Sequence, residues 1–245
     1  MLWIYLSPHF DDIALSCGGL VWEQSQAGDT ASIWTVCAGK PPSGELSPFA
    51  QELHTRWQTE QEATEERRLE DLLSCLSLGA SSRHFNIPDC IYRRHPQTSE
   101  FLYASEAALN GPLHPADTQV MALLQAELKP LISNDMVVVS PLGLGKHVDH
   151  QLSRLALEGL GCASWYYQDY PYVLHSSEQV GRLEADGWTR RIFPISDQGL
   201  AAWQDSIAIH ASQISTFWPD ETAMRQAISD YFHWNHGVCL WRKPA

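Results

Sequence analysis

The sequence predicts an α/β fold in which a mainly parallel sheet lies between two layers of helices, a three-layer sandwich. Apolar runs of strand length occupy residues 2–7, 30–37 and 136–139. A segment of helix length follows the first run, and apolar residues at helical spacing flank the third. Strands that alternate with helices are typical of a parallel sheet, because each parallel connection must cross over one face of that sheet.

Each predicted element has a local signature. The run at 136–139 is β-branched and ends at Ser140-Pro141, which makes it the clearest strand. Four leucines spaced i, i+3, i+4 and i+7 predict a helix that buries one stripe and ends near Gly79. The charged run at 60–71 is then most simply a solvated face of that helix. The four leucines are Leu69, Leu72, Leu73 and Leu76, and the remaining elements are helices around 121–128, 148–160 and 200–207, an extended aromatic stretch at 165–173, and strands at 188–195 and 238–241.

Composition limits the classes of protein that fit. A chain of 245 residues with 44% hydrophobic content predicts a single domain, 1–245. Its net charge of −13 opposes binding to nucleic acid, since that affinity depends largely on lysines and arginines. The apolar runs are far shorter than the roughly 20 residues of a membrane span, and the N-terminus lacks the pattern of a secretory signal. We therefore expect a cytoplasmic protein, and nothing in the sequence indicates its oligomeric state.

The cysteines and two glycines carry weaker signals. Six scattered cysteines without a Cys-x-x-Cys pair predict buried reduced thiols, and neither a zinc finger nor a disulfide framework. Gly18 and Gly19 lie within the helix predicted after the first strand, where each costs about 1 kcal/mol relative to Ala. That cost indicates a close approach of the backbone, which we expect to make room near a functional site.

The segment Pro8-His9-Phe10-Asp11-Asp12 follows the first predicted strand, where the chain turns into a helix. Ligand sites of open α/β sheets form at such strand ends. His9 and Asp12 are three residues apart, so one turn of helix can direct both at the same ion. Asp11 must point another way, which leaves one carboxylate free.

The segment His147-Val148-Asp149-His150 occupies the same position after the strand at 136–139. Its histidines repeat the three-residue spacing, and Asp149 between them is a candidate hydrogen-bond partner for an imidazole. Two histidines and one carboxylate around an ion leave an open coordination position, which is typical of catalytic zinc. A single His-x-x-Asp or His-x-x-His is common by chance, so the prediction depends on the joint position of both segments after strands.

Hydrolysis of an amide at such a site requires two further groups. Zinc lowers the pKa of water towards ~7 and polarises a carbonyl, and a free carboxylate beside it can accept the proton of the water. Asp11 fits this role. A polar group opposite the base must stabilise the oxyanion and protonate the departing amine. His147, supported by Asp149, fits there.

These segments resemble the motifs of the PIG-L/LmbE-like deacetylases, a family that removes acetyl groups from N-acetylglucosamine-type compounds with zinc. The two His/Asp segments are similar to the family's first and third motifs, and Cys17-Gly18-Gly19 resembles the glycine pair that follows the first. Arg67-Arg68-Leu69-Glu70, which leads into Leu78-Gly79, resembles its Arg-x-x-Glu helix. The resemblance covers residues 1 to about 160, the predicted metal-site core, and implies a Rossmann-like fold.

The resemblance also implies a role for each residue of the two segments. The implied cofactor is Zn²⁺, the implied base removes a proton from water, and a third group stabilises the oxyanion or acts as an acid. The implied zinc ligands are His9, Asp12 and His150, the base is Asp11, and the third group is His147 with Asp149 behind it.

The substrate implied by the resemblance is an N-acetylated amino sugar or glycoconjugate. Arg67 and Asp89 are implied to contact its polar groups, although Arg67 and Glu70 also have the spacing of a helix salt bridge. Phe10 stands where many members have proline, which should alter the wall of the site. Residues 161–245 are implied to shape the substrate pocket.

Other histidines and the aromatic residues have simpler interpretations. His210 falls near the apolar stripe of its helix and is most simply a satisfied core histidine, with a position in the pocket as the alternative. His233 and His236 lie in an aromatic-rich end segment and are most simply core or surface residues. The aromatic group between Trp165 and Tyr172 favours core packing over stacking on a sugar.

Three other functions fit part of the pattern. A nucleotide-binding Rossmann enzyme would have a Gly-x-Gly-x-x-Gly loop after the first strand, where this chain has the segment 8–12. A zinc amidase for a thiol conjugate or another acylated compound would use the same residues as a sugar deacetylase. An inactive metal-binding module would require neither Asp11 nor His147.

Overall fold

A computed structural model of the chain describes residues 1–57 and 63–244. It contains a seven-stranded sheet in the order β3-β2-β1-β4-β5-β7-β6. The strands are β1 (Leu2–Ser7), β2 (Thr30–Thr35), β3 (Ser81–His84), β4 (Met136–Pro141), β5 (Trp165–Tyr167), β6 (Thr189–Phe193) and β7 (Val238–Arg242). Neighbours from β3 to β5 are parallel, whereas β7 runs antiparallel to both β5 and β6. The predicted α/β fold with a mainly parallel sheet is confirmed.

Helices connect these strands. They are α1 (Asp12–Gln26), α2 (Pro48–Arg56), α3 (Ala63–Ser77), α4 (Glu106–Leu109), α5 (Thr118–Leu128), α6 (Val148–Leu160), α7 (Ser177–Ala185), α8 (Asp197–Ile209), α9 (Ala211–Phe217) and α10 (Glu221–Asn235). Short 3-10 helices occur at Cys90–Tyr92, Pro115–Asp117, Leu144–Lys146 and Tyr172–His175. Across the described ranges, no helix combines the length and the apolar character needed to cross a membrane.

Both faces of the sheet are covered. Successive side chains of a strand point to opposite faces, so Trp3 and Tyr5 of β1 join one core cluster while Ile4 and Leu6 join another. The first cluster lies under α1, α8 and α10, and the second under α5 and α6. This arrangement is the predicted three-layer sandwich, and it is the reason that β1 lacks the alternation of a half-exposed strand.

Helix α3 is present where its leucine spacing predicts it, but the prediction that these leucines are buried is wrong. Leu69, Leu72, Leu73 and Leu76 are 57%, 43%, 48% and 72% exposed. The buried face of α3 is mostly polar instead, with Arg67, Asp71 and Ser74 beside Cys75. Ser74 donates to the carbonyl of Ser206, and Asp71 accepts hydrogen bonds from Thr35 and His84. These bonds satisfy the polar face against α8 and the strand ends, so the leucines face outwards.

The interpretation of the charged run at 60–71 is corrected for the same reason. Residues 60–62 lie outside the described ranges. In the remainder, Arg67 and Asp71 are buried rather than solvated, whereas Glu65 and Glu66 are at the exposed start of α3. The charged residues of this run therefore lie on two faces of α3, one exposed to solvent and one buried, and the charge pattern alone does not show which residue is on which face.

The aromatic stretch predicted to be extended over 165–173 is also shorter than expected. Strand β5 ends at Tyr167, and the chain then leaves the sheet and forms a 3-10 helix. The N–H of Tyr170 donates to Ser16 at 3.1 Å, which joins this segment to α1. The preference for core packing holds for most of the group, because Trp165, Tyr166, Tyr167 and Tyr170 are buried in the first core cluster.

The six cysteines are free thiols, and all except Cys162 are buried. Gly18 and Gly19 permit a close approach, but of α8 rather than of the site. A Cβ atom added at Gly18 would lie 2.8 Å from Cδ1 of Trp203 and 2.9 Å from Oγ of Ser206. Trp203 is held in place because its Nε1–H donates to the carbonyl of Ala14 at 2.7 Å. The glycines therefore serve helix packing, which corrects the expectation that they make room near the site.

Gly18→Ala is expected to destabilise the fold. Overpacking costs about 1–3 kcal/mol, whereas the gain in helix propensity is at most about 1 kcal/mol, so we expect a net loss of up to about 2 kcal/mol in the free energy of unfolding measured with urea. Gly181→Ala on α7 is the matched control, because a Cβ there meets nothing within 4 Å. The control should be neutral or slightly stabilising. Equal stabilisation by both changes would contradict the packing argument.

Candidate active site

The two predicted segments meet at the carboxyl ends of β1 and β4. These strands are adjacent and parallel, with Leu2 opposite Met136 and Tyr5 opposite Val139. The first segment leads into α1, for which Asp11 is the N-cap residue. The second leads into α6, whose N-cap is His147. Because both segments follow neighbouring strands, their side chains point into the same space.

Three imidazoles lie together in this space. The ring centroids of His9 and His147 are 4.9 Å apart, those of His9 and His150 are 5.5 Å apart, and those of His147 and His150 are 5.3 Å apart. Each ring offers one nitrogen within 4.8 Å of the others. The three histidines are therefore close enough to share an ion. The ligand set that the sequence predicts has Asp12 in place of His147.

Asp12 lies between two of these histidines. Its Oδ2 accepts the backbone N–H of His9 at 2.7 Å and lies 3.2 Å from the ring Nδ1 of His9. Its Oδ1 lies 3.3 Å from Nε2 of His150. That nitrogen is buried and has no hydrogen-bond partner among the described residues. Each oxygen of Asp12 thus faces a nitrogen of a different histidine.

The far nitrogen of each of these two histidines is held by a further aspartate. Nε2 of His9 lies 3.0 Å from Oδ2 of Asp149, and Nδ1 of His150 lies 2.6 Å from Oδ1 of Asp169. Carboxylates in this position fix the orientation of metal-binding imidazoles. Asp169 is a functional candidate that the sequence analysis missed. Its position just after β5, matching those of the two His/Asp segments after β1 and β4, is the signal that could have identified it.

Asp149 has a different partner from the one predicted. Its carboxylate binds His9 and Arg93 rather than His147, because residues two apart at the start of α6 point in different directions. Asp149 contacts His147 through its backbone N–H, which lies 3.3 Å from Nδ1 of the imidazole. With Nδ1 as acceptor, the ring proton of a neutral His147 is on Nε2.

The charges of the three imidazoles differ. Burial disfavours the cation of His9, but hydrogen bonds to Asp12 and Asp149 outweigh it and hold the pKa of His9 well above its usual range. Burial also disfavours the cation of His150, but the nearby carboxylates of Asp12 and Asp169 outweigh it and raise the pKa of His150 to about 9. For His147, burial and the charge of His9 hold the pKa well below its usual range. His147 is therefore neutral near pH 7.

Two cysteines also lie near the cluster. Cys37 forms a possible ligand group with His9 and Asp149, and Cys90 forms one with His147 and Asp149. Burial raises the pKa of both thiols well above the usual range. Since the thiolate is the form that binds metal, these protonated side chains are poor ligands.

Asp11 lies beside the cluster and contacts Arg67. Nη2 of Arg67 is 3.4 Å from Oδ1 of Asp11, and the guanidinium lies between the rings of Phe10 and Trp57 at 5.6 and 5.1 Å. Phe10, which replaces the more usual proline, thus forms one support of Arg67. In the described part of the chain, Arg67 does not form the alternative salt bridge with Glu70. Glu70 instead accepts hydrogen bonds from both the N–H and the hydroxyl of Ser212.

The cluster forms the base of an open pocket of about 230 Å³. Arg67 and Asp89 lie in its wall, and Oδ1 of Asp89 also accepts the N–H of Ile91 at 3.1 Å. Part of the wall comes from residues 161–245. The lining residues from that part are Tyr170, Pro171, Tyr172, Gln213, Thr216 and Phe217, and apolar residues elsewhere in the wall are Leu15, Leu53, Trp57, Ile91 and Leu109.

The histidines at 210, 233 and 236 do not belong to the three-imidazole cluster. His210 is buried, but neither ring nitrogen has a hydrogen-bond partner among the described residues, so the prediction that it is a satisfied core histidine is wrong on that point. His233 is exposed at the end of α10, with Nδ1 2.6 Å from the carbonyl of Ser229. His236 follows it as the C-cap residue. These two are surface residues, one of the two interpretations that the sequence left open.

Asp169→Asn is expected to weaken metal binding. The carboxylate accepts from Nδ1 of His150 with one oxygen and from the N–H of Leu144 with the other, at 2.6 and 2.9 Å, and a single amide oxygen cannot accept both. Loss of such a partner typically lowers metal affinity by about 10–100-fold. Zinc titration measures this effect. Asp205→Asn, in an exposed ion pair with Arg225, is the control, and equal affinities for the two variants would contradict the assignment.

Fold and site place the chain among the α/β enzymes that work at the carboxyl ends of a parallel sheet. The chain belongs to the PIG-L family, described as GlcNAc-PI de-N-acetylase, whose model matches residues 4–159. This confirms the family that the motifs resemble.

Individual proteins agree with this assignment. The chain is 29% identical over 202 residues to the 2'-N-acetylparomamine deacetylase of Niallia circulans, covering 76% of this chain and 71% of the relative. It is 27% identical over 182 residues to the enzyme of the same name from Streptomyces fradiae, covering 69% and 57%. The zinc-inhibited form of the teicoplanin deacetylase Orf2 has the same fold, with a TM-score of 0.81, 23% identity, and coverage of 98% and 97%. The predicted reaction class, hydrolytic de-N-acetylation, is confirmed by these comparisons.

Proposed function

We propose that this chain removes the acetyl group from an N-acetylated amino sugar or glycoconjugate, with a zinc ion held by His9, Asp12 and His150. The position of Asp12 between the two histidines carries the proposal. Two imidazole nitrogens and a carboxylate are the donor types of a catalytic zinc site, which keeps one position open for water. Nδ1 of His9 lies 3.2 Å from Oδ2 of Asp12 and Nε2 of His150 lies 3.3 Å from Oδ1, so each histidine has one nitrogen near the same carboxylate.

The orientation of the histidines also supports zinc. Asp149 and Asp169 hold the far ring nitrogens, and the near nitrogen of His150 is buried without a hydrogen-bond partner among the described residues. Binding of a cation there would release the protons of the two charged imidazoles, since only neutral imidazole binds metal. When bound, zinc polarises the amide carbonyl and makes water a better nucleophile.

The residues around the ligands have distinct proposed tasks. Asp11 accepts a proton from the attacking water as the oxygen forms its bond to the carbonyl carbon. His147, neutral and protonated on Nε2, donates a hydrogen bond to the carbonyl oxygen as negative charge develops there. The bond between carbon and nitrogen then breaks, and the proton held by Asp11 passes to the departing nitrogen. The products are acetate and a free amine.

The structure favours one of the two roles implied for His147. A neutral imidazole with its proton on Nε2 is a hydrogen-bond donor and a poor acid, because loss of that proton would leave an anion. We therefore assign oxyanion stabilisation to His147 and proton transfer in both directions to Asp11. Asp149 supports His147 through its backbone and His9 through its carboxylate.

The amino sugar is proposed from the relatives and from the wall of the pocket. Two relatives carry the name of a deacetylase of an acetylated aminoglycoside, 2'-N-acetylparomamine. We propose that Arg67 and Asp89 bind polar groups of the sugar, and that the lining residues from 161–245 shape the remainder of the pocket. The apolar part of the wall also suits acetamides without a sugar, so a zinc amidase for another acylated compound is the second candidate.

A panel assay tests this proposal. The chain, loaded with one equivalent of zinc, is incubated with N-acetylated amino sugars, acetylated aminoglycosides, glycolipids and acetamides without a sugar, and free acetate and free amine are both quantified. We expect equal release of both products from an amino-sugar substrate. Release only from compounds without a sugar would favour the second candidate. Bound zinc with no release from any compound would contradict the proposal and favour an inactive module.

A further inference from the structure

We propose that Arg93 is a positioning residue for the metal ligand His9, acting through the carboxylate of Asp149. The inference rests on the proposed function, since it concerns a residue proposed to hold the ion. Arg93 belongs to neither His/Asp segment and lies more than 50 residues from Asp149 in the chain. Its guanidinium is nevertheless buried directly behind that carboxylate.

The carboxylate of Asp149 is held on both oxygens. Oδ2 lies 3.0 Å from Nε2 of His9 and accepts the N–H of Cys90 at 3.1 Å, whereas Oδ1 lies 2.5 Å from Nη2 of Arg93. Asp149 is completely buried. The segment 90–93 therefore supplies one contact to each oxygen, which fixes both the position and the rotation of the carboxylate.

Arg93 is held in turn by Asp117 and Tyr103. Its Nη2 lies 3.3 Å from Oδ2 of Asp117, and its guanidinium lies 5.4 Å from the centroid of the Tyr103 ring. The hydroxyl of Tyr103 donates to the same oxygen of Asp117 at 2.6 Å and accepts the N–H of His114 at 2.8 Å. A continuous series of contacts thus links His9 to the segment 103–117.

This geometry determines the consequence of losing Arg93. Oδ1 of Asp149 would lose its contact with the guanidinium, and the carboxylate could rotate away from Nε2 of His9. The imidazole would then no longer be fixed with Nδ1 towards Asp12. Loss of the carboxylate partner of a metal-binding imidazole typically lowers metal affinity by about 10–100-fold. Arg93 touches neither the proposed ligand position nor the substrate pocket, so its effect should pass through Asp149.

Zinc titration of Arg93→Met tests the proposal. We expect zinc affinity to fall by about 10–100-fold relative to the parent chain. Arg154→Met is the matched control, because Arg154 lies on the same helix as Asp149 but pairs with Glu158 at 2.8 Å. The control should keep the parent affinity. Arg93→Met that binds zinc as tightly as the parent would overturn the inference.

A double-mutant cycle separates positioning from a general structural role. Arg93→Met is combined with Asp149→Asn, and zinc affinity is measured for the parent, both single variants and the double variant. If Arg93 acts through Asp149, its replacement should have little further effect once Asp149 is changed. An equal loss of affinity in both backgrounds would overturn the inference.

Two further outcomes are decisive. Arg93→Met alone leaves a buried carboxylate without its partner, and the variant could fail to fold. In that case Asp149→Asn is compared with the double variant. Equal zinc affinity of these two variants supports the inference, and a lower affinity of the double variant overturns it. If the parent chain binds no zinc, both the proposed function and this inference are contradicted. If the parent binds zinc and the Arg93 variant binds it equally well, only this inference is contradicted.

Discussion

Asp11→Asn is expected to lower kcat by about 10²–10⁴-fold while the chain still binds one equivalent of zinc. The amide has nearly the shape of the carboxylate but cannot accept the proton of the attacking water. Asp11 is buried beside the ligand cluster, its Oδ1 is 3.4 Å from Arg67, and its side chain makes no capping bond to α1. Its replacement should therefore remove chemistry without removing a structural contact of the helix.

Steady-state kinetics and zinc analysis of the same preparation check this prediction. A loss in kcat with KM nearly unchanged would mark an interaction made in the transition state. Asp186→Asn, at the exposed end of α7, is the control and should leave kcat, KM and zinc content unchanged. If Asp11→Asn kept full activity on a substrate that the parent hydrolyses, the base would have to be another residue. Loss of zinc by the variant would instead make Asp11 a ligand.

His147→Asn is expected to lower kcat by about 10²–10³-fold, again without loss of zinc. Asparagine is a favoured N-cap residue, so its side-chain oxygen can replace Nδ1 as the acceptor for the N–H of Asp149 at the start of α6. It is too short to place a donor where Nε2 stands. The variant thus preserves the helix start and removes the proposed contact to the oxyanion.

The same variant decides between two possible ligand sets. Ring nitrogens of His9, His147 and His150 lie within 4.8 Å of one another, so a three-histidine site is the alternative to the proposed set of His9, Asp12 and His150. His147→Asn that binds zinc with parent affinity supports the set with Asp12. Loss of zinc from this variant, with Asp12→Asn retaining it, would support the three histidines. His233→Asn, at an exposed histidine, is the control.

Much of the fold could be predicted because its signals are local. The apolar runs of β1 and β4 are buried on both sides, and continuous apolar runs are the local signature of such strands. The three-residue spacing of His9 with Asp12 and of His147 with His150 is set within one turn of chain. Two parallel neighbours then bring both segments together at one edge of the sheet. The candidate site was visible for this reason.

Helix α3 illustrates the limit of local patterns. Its leucine spacing correctly predicts a helix, yet the leucines are exposed and the buried face carries Arg67, Asp71 and Ser74. The spacing of the leucines indicates only that they share one face of the helix, not whether that face is buried. Which face is buried depended on partners such as Ser206 and His84, which lie on other elements and satisfy the polar side chains.

The sequence by itself determined the α/β alternation, the two His/Asp segments and the chemistry that their residue types allow. The tertiary structure decided which groups hold those residues in place. Asp169 and Arg93 reach the site from segments 19 and 56 residues away from their partners, and the carboxylate of Asp149 contacts His9 instead of His147, two residues earlier. Ligand spacing is a property of one helical turn, whereas the orientation of a buried imidazole or carboxylate is set by contacts between distant parts of the chain.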